Sequence, residues 1–449
     1  MKKQIVLSLL LAGVLYAQSI DDDFDGFDDT PTPKSTTTND AMAGFDDENT
    51  TEVSSVKTPL IEGLTGKMTQ QMSYAYQGAS PHDHLNSFKT SLFLDYEHKF
   101  ENGWKLKTNA KWYYDAIYDL RDKPYSADER KENHHEVELF DAYIEGSLAD
   151  NVDLKVGRQV VVWGRSDTIR ITDVLNPMDN RKPAMVDIED LRLPVAMVKL
   201  DYFVGDWRIT PMAIVEQRFS KNPPFGSAFN PMNDPHIAEE KPNDVTYALS
   251  IGAEFSGWDV NFYAARLYDD AGYIKMGTTP TKEHEKVTMY GTAFNFLVGS
   301  WLFKSEIAYF DGLKYTTTQE KTFARTDGLL GLEYKGIADT LISYDVSLRH
   351  FNDYDNRLMH ESVALEKNTY QHALRVSSDF MHATLSANYL LSLYGKKLDE
   401  GGFQRAWVKY EVAEGVNLNV GVVDYIGGST RFDMVKKNDM IFTDISYSF

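Results

Sequence analysis

The chain has 449 residues, no cysteine, a formal charge of −21 at pH 7 and 13% aromatic residues. The absence of cysteine excludes a disulfide framework, thiolate metal sites and a lipidated cysteine anchor, and so acidic a chain argues against nucleic acid as a partner, because phosphate binding needs a basic face. No internal segment is long and apolar enough for a transmembrane helix, so a membrane location would require a β-barrel.

The chain opens Met1-Lys2-Lys3, runs apolar from Ile5 to Tyr16 and reaches Ala17 before turning polar. This is the pattern of a secretory signal peptide, residues 1–17, with Leu15 and Ala17 at the positions a signal peptidase reads. Residues 18–58 carry eleven Asp or Glu against Lys34 and Lys57, a sum of −9, with few large apolar side chains. Such a segment cannot bury enough surface to offset its ordering entropy and is expected to be a disordered periplasmic tail. Asp21, Asp23, Asp25 and Gly26 have the spacing that opens a calcium loop, but Thr32 stands where a bidentate Glu is required. Pro31 and Pro33 also oppose a following helix. Gly26-Phe27-Asp28-Asp29 recurs as Gly44-Phe45-Asp46-Asp47. Repeated Phe in an acidic context fits a partner-docking motif better than a metal loop, with Phe24, Asp25, Phe27, Asp28, Asp29, Phe45, Asp46 and Asp47 as its anchors and charges. A plain acidic spacer is the alternative.

From residue 59 to 449 the pattern is alternation. Val245, Tyr247, Leu249, Ile251, Ala253 and Phe255 alternate with polar or small residues, as do Ile342, Tyr344, Val346 and Leu348, and Met381, Ala383, Leu385 and Ala387. Period two means one apolar and one polar face. A soluble sandwich would also alternate, but three features favour an all-β, antiparallel, up-and-down transmembrane barrel. The runs are about ten residues long, the length of a tilted membrane strand. Tight turns such as Asn102-Gly103, Gly205-Asp206 and Gly299-Ser300 alternate with long polar loops near 119–134, 164–194, 219–244, 269–285, 312–323 and 352–368. Trp104, Trp207, Trp258 and Trp301 each follow a tight turn, as an aromatic girdle at the periplasmic interface would require. The chain ends with Ile441, Thr443, Ile445, Tyr447 and Phe449 on one face, a closing strand of the kind read by the outer-membrane assembly machinery. Strand starts are expected near residues 64, 88, 103, 135, 151, 195, 206, 245, 258, 286, 301, 324, 339, 369, 381, 402, 415 and 438. That is eighteen strands, with sixteen the nearest alternative, in the bacterial outer membrane and in contact with its lipids.

Strand parity assigns lumen residues. Trp104, Leu106, Thr108, Ala110 and Trp112 should face lipid, which leaves Lys105, Lys107, Asn109 and Lys111 inside. Asp153, Lys155 and Gln159 should also face in, whereas Arg158 has the parity of the apolar face, so it lies near an interface or a bulge re-aims it. The connection 164–194 holds Arg165, Arg170, Arg181, Lys182 and Arg192 among Asp167, Asp173, Asp179, Asp187, Glu189 and Asp190. It is either a solvated loop or a constriction folded into the lumen, its Arg side chains facing carboxylates on the wall. Fixed charges in a pore select permeants by sign, and loops this long are often functional.

One stretch is more distinctive than alternation: Gly157-Arg158-Gln159, Trp163-Gly164, Asn176-Pro177-Met178-Asp179 and, later, Leu193-Pro194-Val195-Ala196-Met197. It resembles a proteobacterial outer-membrane barrel family catalogued as domain of unknown function thirteen-oh-two, distantly similar to alginate-export porins. The resemblance implies transport of a hydrophobic or amphipathic compound, together with a periplasmic or inner-membrane transporter partner that the acidic tail would reach.

Enzymatic signals are weak. His82-Asp83-His84 and His134-His135-Glu136 lack helical His-x-x-x-His spacing, and no Gly-x-Ser-x-Gly elbow occurs. Ser386 and His382 share a face, as many polar pairs do. No catalytic residue, metal or cofactor is therefore expected. A selective or general porin for small polar solutes and a surface adhesin or structural barrel stand as alternatives to hydrophobe transport.

Overall fold

The computed structural model describes residues 62–449 except residue 187; the expected signal peptide and acidic tail lie outside the described residues. Eighteen strands form one antiparallel sheet. They are β1 Leu64–Ala75, β2 His84–Lys99, β3 Lys105–Asp115, β4 His135–Ala149, β5 Val152–Gln159, β6 Val195–Val204, β7 Trp207–Ile214, β8 Thr246–Phe255 and β9 Trp258–Tyr268. The remainder are β10 Lys286–Val298, β11 Trp301–Leu313, β12 Phe323–Ile337, β13 Thr340–Phe351, β14 Asn368–Phe380, β15 Leu385–Tyr394, β16 Gly402–Ala413, β17 Val416–Ile426 and β18 Met440–Ser448. β18 returns to β1, in register from Lys67↔Ser448 to Ala75↔Met440, and closes the barrel. Closure leaves no open sheet edge, which is what a spanning sheet in lipid demands.

The largest offsets from the expected starts are at β2, which begins at 84 rather than 88, and β15, which begins at 385 rather than 381. The second is a correction. Met381, His382 and Ala383 adopt left-handed φ of 55°, 56° and 63° and form the turn, so their apolar alternation continued the pattern of β15 without belonging to it. The Ser386 hydroxyl donates to Asp379 instead of meeting His382.

Outward positions are apolar: Met68, Phe262, Ile307, Leu330, Val420 and Ile445 are exposed large hydrophobics, a lipid-facing band. At the tight-turn end, rings contact one another from strand to strand. Trp207 meets Phe255 edge-on at 6.4 Å, Phe255 stacks on Trp258 at 4.2 Å, Phe296 on Phe303 at 4.6 Å, and Trp301 lies 4.3 Å from Tyr334. These ring contacts, from β7 to β12, suit the membrane–water interface, where amphipathic aromatics settle. Phe449 is tied to β1 by two backbone bonds with Gly66, at 2.8 and 2.9 Å.

On the long-loop side, short strands Ala238–Glu239, Tyr273–Lys275 and Thr281–Glu283 make a separate small sheet. There His284 hydrogen-bonds Glu239 at 3.2 Å and stacks on Phe219. That hydrogen bond, assisted by Lys282, pulls the Glu239 carboxyl down to about 2.

The interior departs from a uniformly polar lumen. Met197, Met212, Tyr263, Met289, Ala308, Phe310, Leu329 and Phe351 point inward from β6 to β13 and join one buried apolar cluster. Residues 160–194 pack into the same cluster from within the barrel, alongside Leu313, Phe323 and Leu358.

Candidate functional site

Residues 160–194 run back across the barrel interior because they carry apolar side chains that solvent would not hold. Trp163, Ile169, Ile171 and Leu175 are buried in the same cluster as the inner wall of β6–β13, and Trp163 stacks on Tyr263 of β9 at 4.6 Å. Burying each such side chain contributes about 1.5–3 kcal/mol, enough to hold the segment against the wall.

Polar anchors then fix its position. Glu306, on β11 and 3% exposed, accepts from the backbone N–H of Arg165 at 2.6 Å, Ser166 at 3.0 Å and Thr172 at 3.2 Å, and from the Thr172 hydroxyl at 2.7 Å. Asp345 on β13 accepts from the Ser166 and Thr168 hydroxyls at 2.7 and 2.5 Å. Arg165 pairs with Asp259 of β9 at 2.6 Å, and Asp167 with Lys304 of β11 at 3.1 Å. Further along, Arg181 bridges Asp179 at 2.5 Å and Glu136 of β4 at 2.7 Å. Pro183 accepts from the Tyr425 hydroxyl of β17 at 2.6 Å. One chain segment therefore touches β4, β9, β11, β13 and β17 from within.

The distinctive motif residues knit this segment to its strands. Asn176, almost fully buried, receives the Val161 N–H on its side-chain oxygen at 2.8 Å and donates to the Leu193 carbonyl at 2.9 Å. It thus clamps the two ends of the loop together, and Pro177 adds its carbonyl to the Leu193 N–H at 2.7 Å. Arg170 and Arg192 do not reach the wall; both pair with Asp173 inside the segment, at 3.1 and 2.9 Å, because burial of Asp173 demands its compensation locally. Gln159 is buried at the end of β5, and Gly164 donates to the Tyr263 hydroxyl at 3.3 Å.

Arg158 finds its reason in a notch. β5 ends opposite Ala142, so residues 135–139 of β4 pair with β3 but have no β5 partner. Arg158 pairs across β6 with Ala196, which sits between the inward Val195 and Met197, and therefore points outward. There it donates to the Leu139 carbonyl at 2.6 Å and forms a close ion pair with Glu216, which in turn accepts the Ala196 N–H at 2.9 Å. The pair caps backbone groups that a missing strand would otherwise have satisfied. Gly157 makes this approach feasible. Its φ is 131°, and a Cβ there would lie 2.2 Å from the Ala142 carbonyl oxygen and 2.6 Å from the Tyr143 Cα. Gly157→Ala is expected to destabilise the barrel by about 3 kcal/mol or more, strain and overpacking combined. The loss would read as a lower temperature for the folded-to-unfolded mobility shift on unboiled gels.

On the inner faces of β3 and β5 the lumen lysines are mostly neutralised. Lys105 bonds Glu145 at 2.6 Å, Lys107 lies 3.2 Å from Asp95, and Lys155 lies 3.3 Å from Glu145. Asn109 donates to Asp141 at 3.2 Å, whereas Lys111 sits over the Phe140 ring at 3.7 Å. The two histidine clusters are dispersed: His82 bonds Glu129 at 2.9 Å, His84 bonds Asp83 at 2.9 Å, and His134 bonds Asp119 at 2.8 Å. Arg121, hydrogen-bonded to Asp83, lowers that carboxyl to about 2. Glu306, Asp345, Asp259 and Lys304 were not singled out in the sequence. Their signal was charge at inward parity, as in Lys304 and Glu306 of an otherwise apolar strand.

No curated protein matches the chain. In fold it is similar to OccAB2 of Acinetobacter baumannii, at 13% identity and TM-score 0.51, over 88% of this chain and 99% of that one. It is also similar to OccK2 (OpdF) of Pseudomonas aeruginosa, solved in complex with glucuronate, at 11% identity and TM-score 0.53, over 86% and 97%. This chain shares the β-barrel fold of both. The model of the family described as "Protein of unknown function (DUF1302)" matches residues 74–449, from the end of β1 to the terminal Phe449. The protein therefore belongs to that family, as an eighteen-stranded barrel of the outer membrane.

Proposed function

We propose that the barrel is a selective outer-membrane channel for hydrophobic or amphipathic molecules, narrowed by residues 164–194, with a periplasmic or inner-membrane transporter partner reached through the acidic tail. The observation that carries the reading is the anchoring of one segment to inward carboxylates on β9, β11 and β13 and to β4 and β17 across the lumen. A loop held on so many sides reduces the open cross-section, and its charges set which solutes pass. The apolar inner wall of β6–β13 is covered by the segment itself, so the apolar part of the solute is the expectation that the family resemblance brings. One observation favours a second reading, a channel for small polar acids: the glucuronate complex of OccK2. Liposome swelling with sugars and sugar acids separates the two, since a channel tuned to apolar solutes passes them poorly.

The tail carries its own test. Cross-linking in intact cells should join the full chain to a periplasmic or inner-membrane protein, and removal of residues 21–47 should abolish that product while the barrel still assembles. Equal cross-linking of the truncated chain would contradict a docking role.

A further inference from the structure

A cavity of about 250 Å³ lies between the inner faces of β2, β3 and β4 and the returning segment, bordered by Phe229 and by Met440 of β18. Its chemistry is divided. Two ammonium groups enter it from the wall, Lys89 of β2 and Lys111 of β3. Among the described residues neither has a carboxylate oxygen within 4.0 Å. Lys89 lies 5.5 Å from the Tyr113 ring centroid, and Lys111 lies over Phe140.

The nearby acids are committed elsewhere. Glu136 is held by Arg181 and Lys221, Glu138 by Lys221 and Arg218, and Glu129 by His82. Asp115 is fully buried and already accepts from the Ser87 hydroxyl at 2.6 Å and the Phe88 N–H at 2.8 Å; Lys182 reaches it only at 3.6 Å. Asp179 shares Arg181 with Glu136, and Asp190 is exposed, so among the described residues Lys89 and Lys111 are the lining cations without a close carboxylate. Both ammonium groups are only partly withdrawn from water, which leaves them open to an incoming anion through charge-assisted hydrogen bonds.

The lining also carries the polar Gln71, Ser73, Asn86, Asn133 and Ser227, and one side of it is apolar. Met185 and Met440 are buried in a cluster with Trp407, Val423, Tyr425 and Phe442, against which Phe229 packs. The volume falls just below the ~300 Å³ at which pockets begin to hold drug-sized ligands, which leaves room for a headgroup and a short chain.

We propose that this cavity binds a small amphipathic carboxylate, its headgroup at Lys89 with Lys111 and Lys182 flanking it and its short apolar body against Met185, Phe229 and Met440. The proposal rests on the channel reading above and gives it a substrate class.

Equilibrium binding of octanoate and of octanol to the full chain in a maltoside detergent, followed by calorimetry, tests it. Saturable octanoate binding is expected, with octanol at least about tenfold weaker, the loss of one charge-assisted contact of ~1.4 kcal/mol or more. Lys89→Met should weaken octanoate at least about tenfold by the same contact and leave octanol unchanged. Lys182→Met, on the returning segment, reads the same interaction if the wall variant does not assemble. The absence of saturable octanoate binding, equal affinity for octanol, or wild-type octanoate affinity in both lysine variants would overturn the proposal. No flux enters this measurement, so its failure leaves the conductance tests of the constriction intact. Saturable octanoate binding by the full chain, together with unaltered conductance of the loop-deleted barrel, would instead dismiss the constriction alone.

Discussion

Glu306→Ala is expected to release the inner segment and raise single-channel conductance, with larger current noise, in planar bilayers. The carboxylate accepts three backbone N–H groups and one hydroxyl, all from residues 165–172. Its removal strands four donors in a buried place, at a cost of roughly 1–3 kcal/mol for each one that water does not reach. Water entering the vacated space recovers part of that cost, so the net penalty on the docked state is expected to be about 3 kcal/mol or more. A penalty of this size shifts a docked segment towards detached states by a factor of about one hundred. Asp345 and Asp259 still hold Ser166, Thr168 and Arg165, so partial docking and flicker are expected rather than a permanently open pore. Glu306→Gln keeps a side-chain carbonyl as acceptor and should fall between the two. Conductance and noise equal to wild type in a folded Glu306→Ala barrel would mean that this anchor does not set the pore.

The barrel was legible because its physics repeats. Each strand presents an apolar face to lipid, so period-two alternation, tight turns followed by Trp207, Trp258 and Trp301, and the apolar face ending at Phe449 carry the same message many times. Local failure came where alternation ran past a strand end, at Met381 to Ala383, since a turn held by left-handed φ leaves no trace in hydropathy.

The inner segment was half legible. Its length and charges marked it, yet Ile169, Ile171 and Leu175 were the stronger sign, because three buried aliphatics within one loop need an apolar surface to meet. That surface was itself hidden. Met289, Ala308 and Phe310 point inward from strands whose outward positions are also apolar, and a strand apolar on both faces does not reveal which face has a partner. Pairings such as Glu306 with Thr172, or Arg158 with Glu216, join residues far apart in the chain. They follow from barrel register and the notch beside β5, neither of which a single sequence spells out.

Deleting residues 168–190, with a short Gly-Ser link joining 167 to 191, tests the constriction most directly. The excision removes Ile169, Ile171, Leu175, the Asn176 clamp and Arg181, while the strand ladders of β1 to β18 keep all their backbone pairings. Stability should fall, since the inner wall of β6–β13 becomes wet, but closure of the sheet does not depend on the segment. Folding is verified by the heat-modifiable shift on gels before any current is recorded. Single-channel conductance of the trimmed barrel is expected to rise at least about twofold over wild type, and its preference for one ion sign to weaken as the charges of the segment leave the pore. A folded, trimmed barrel with wild-type conductance and wild-type ion preference would contradict the account.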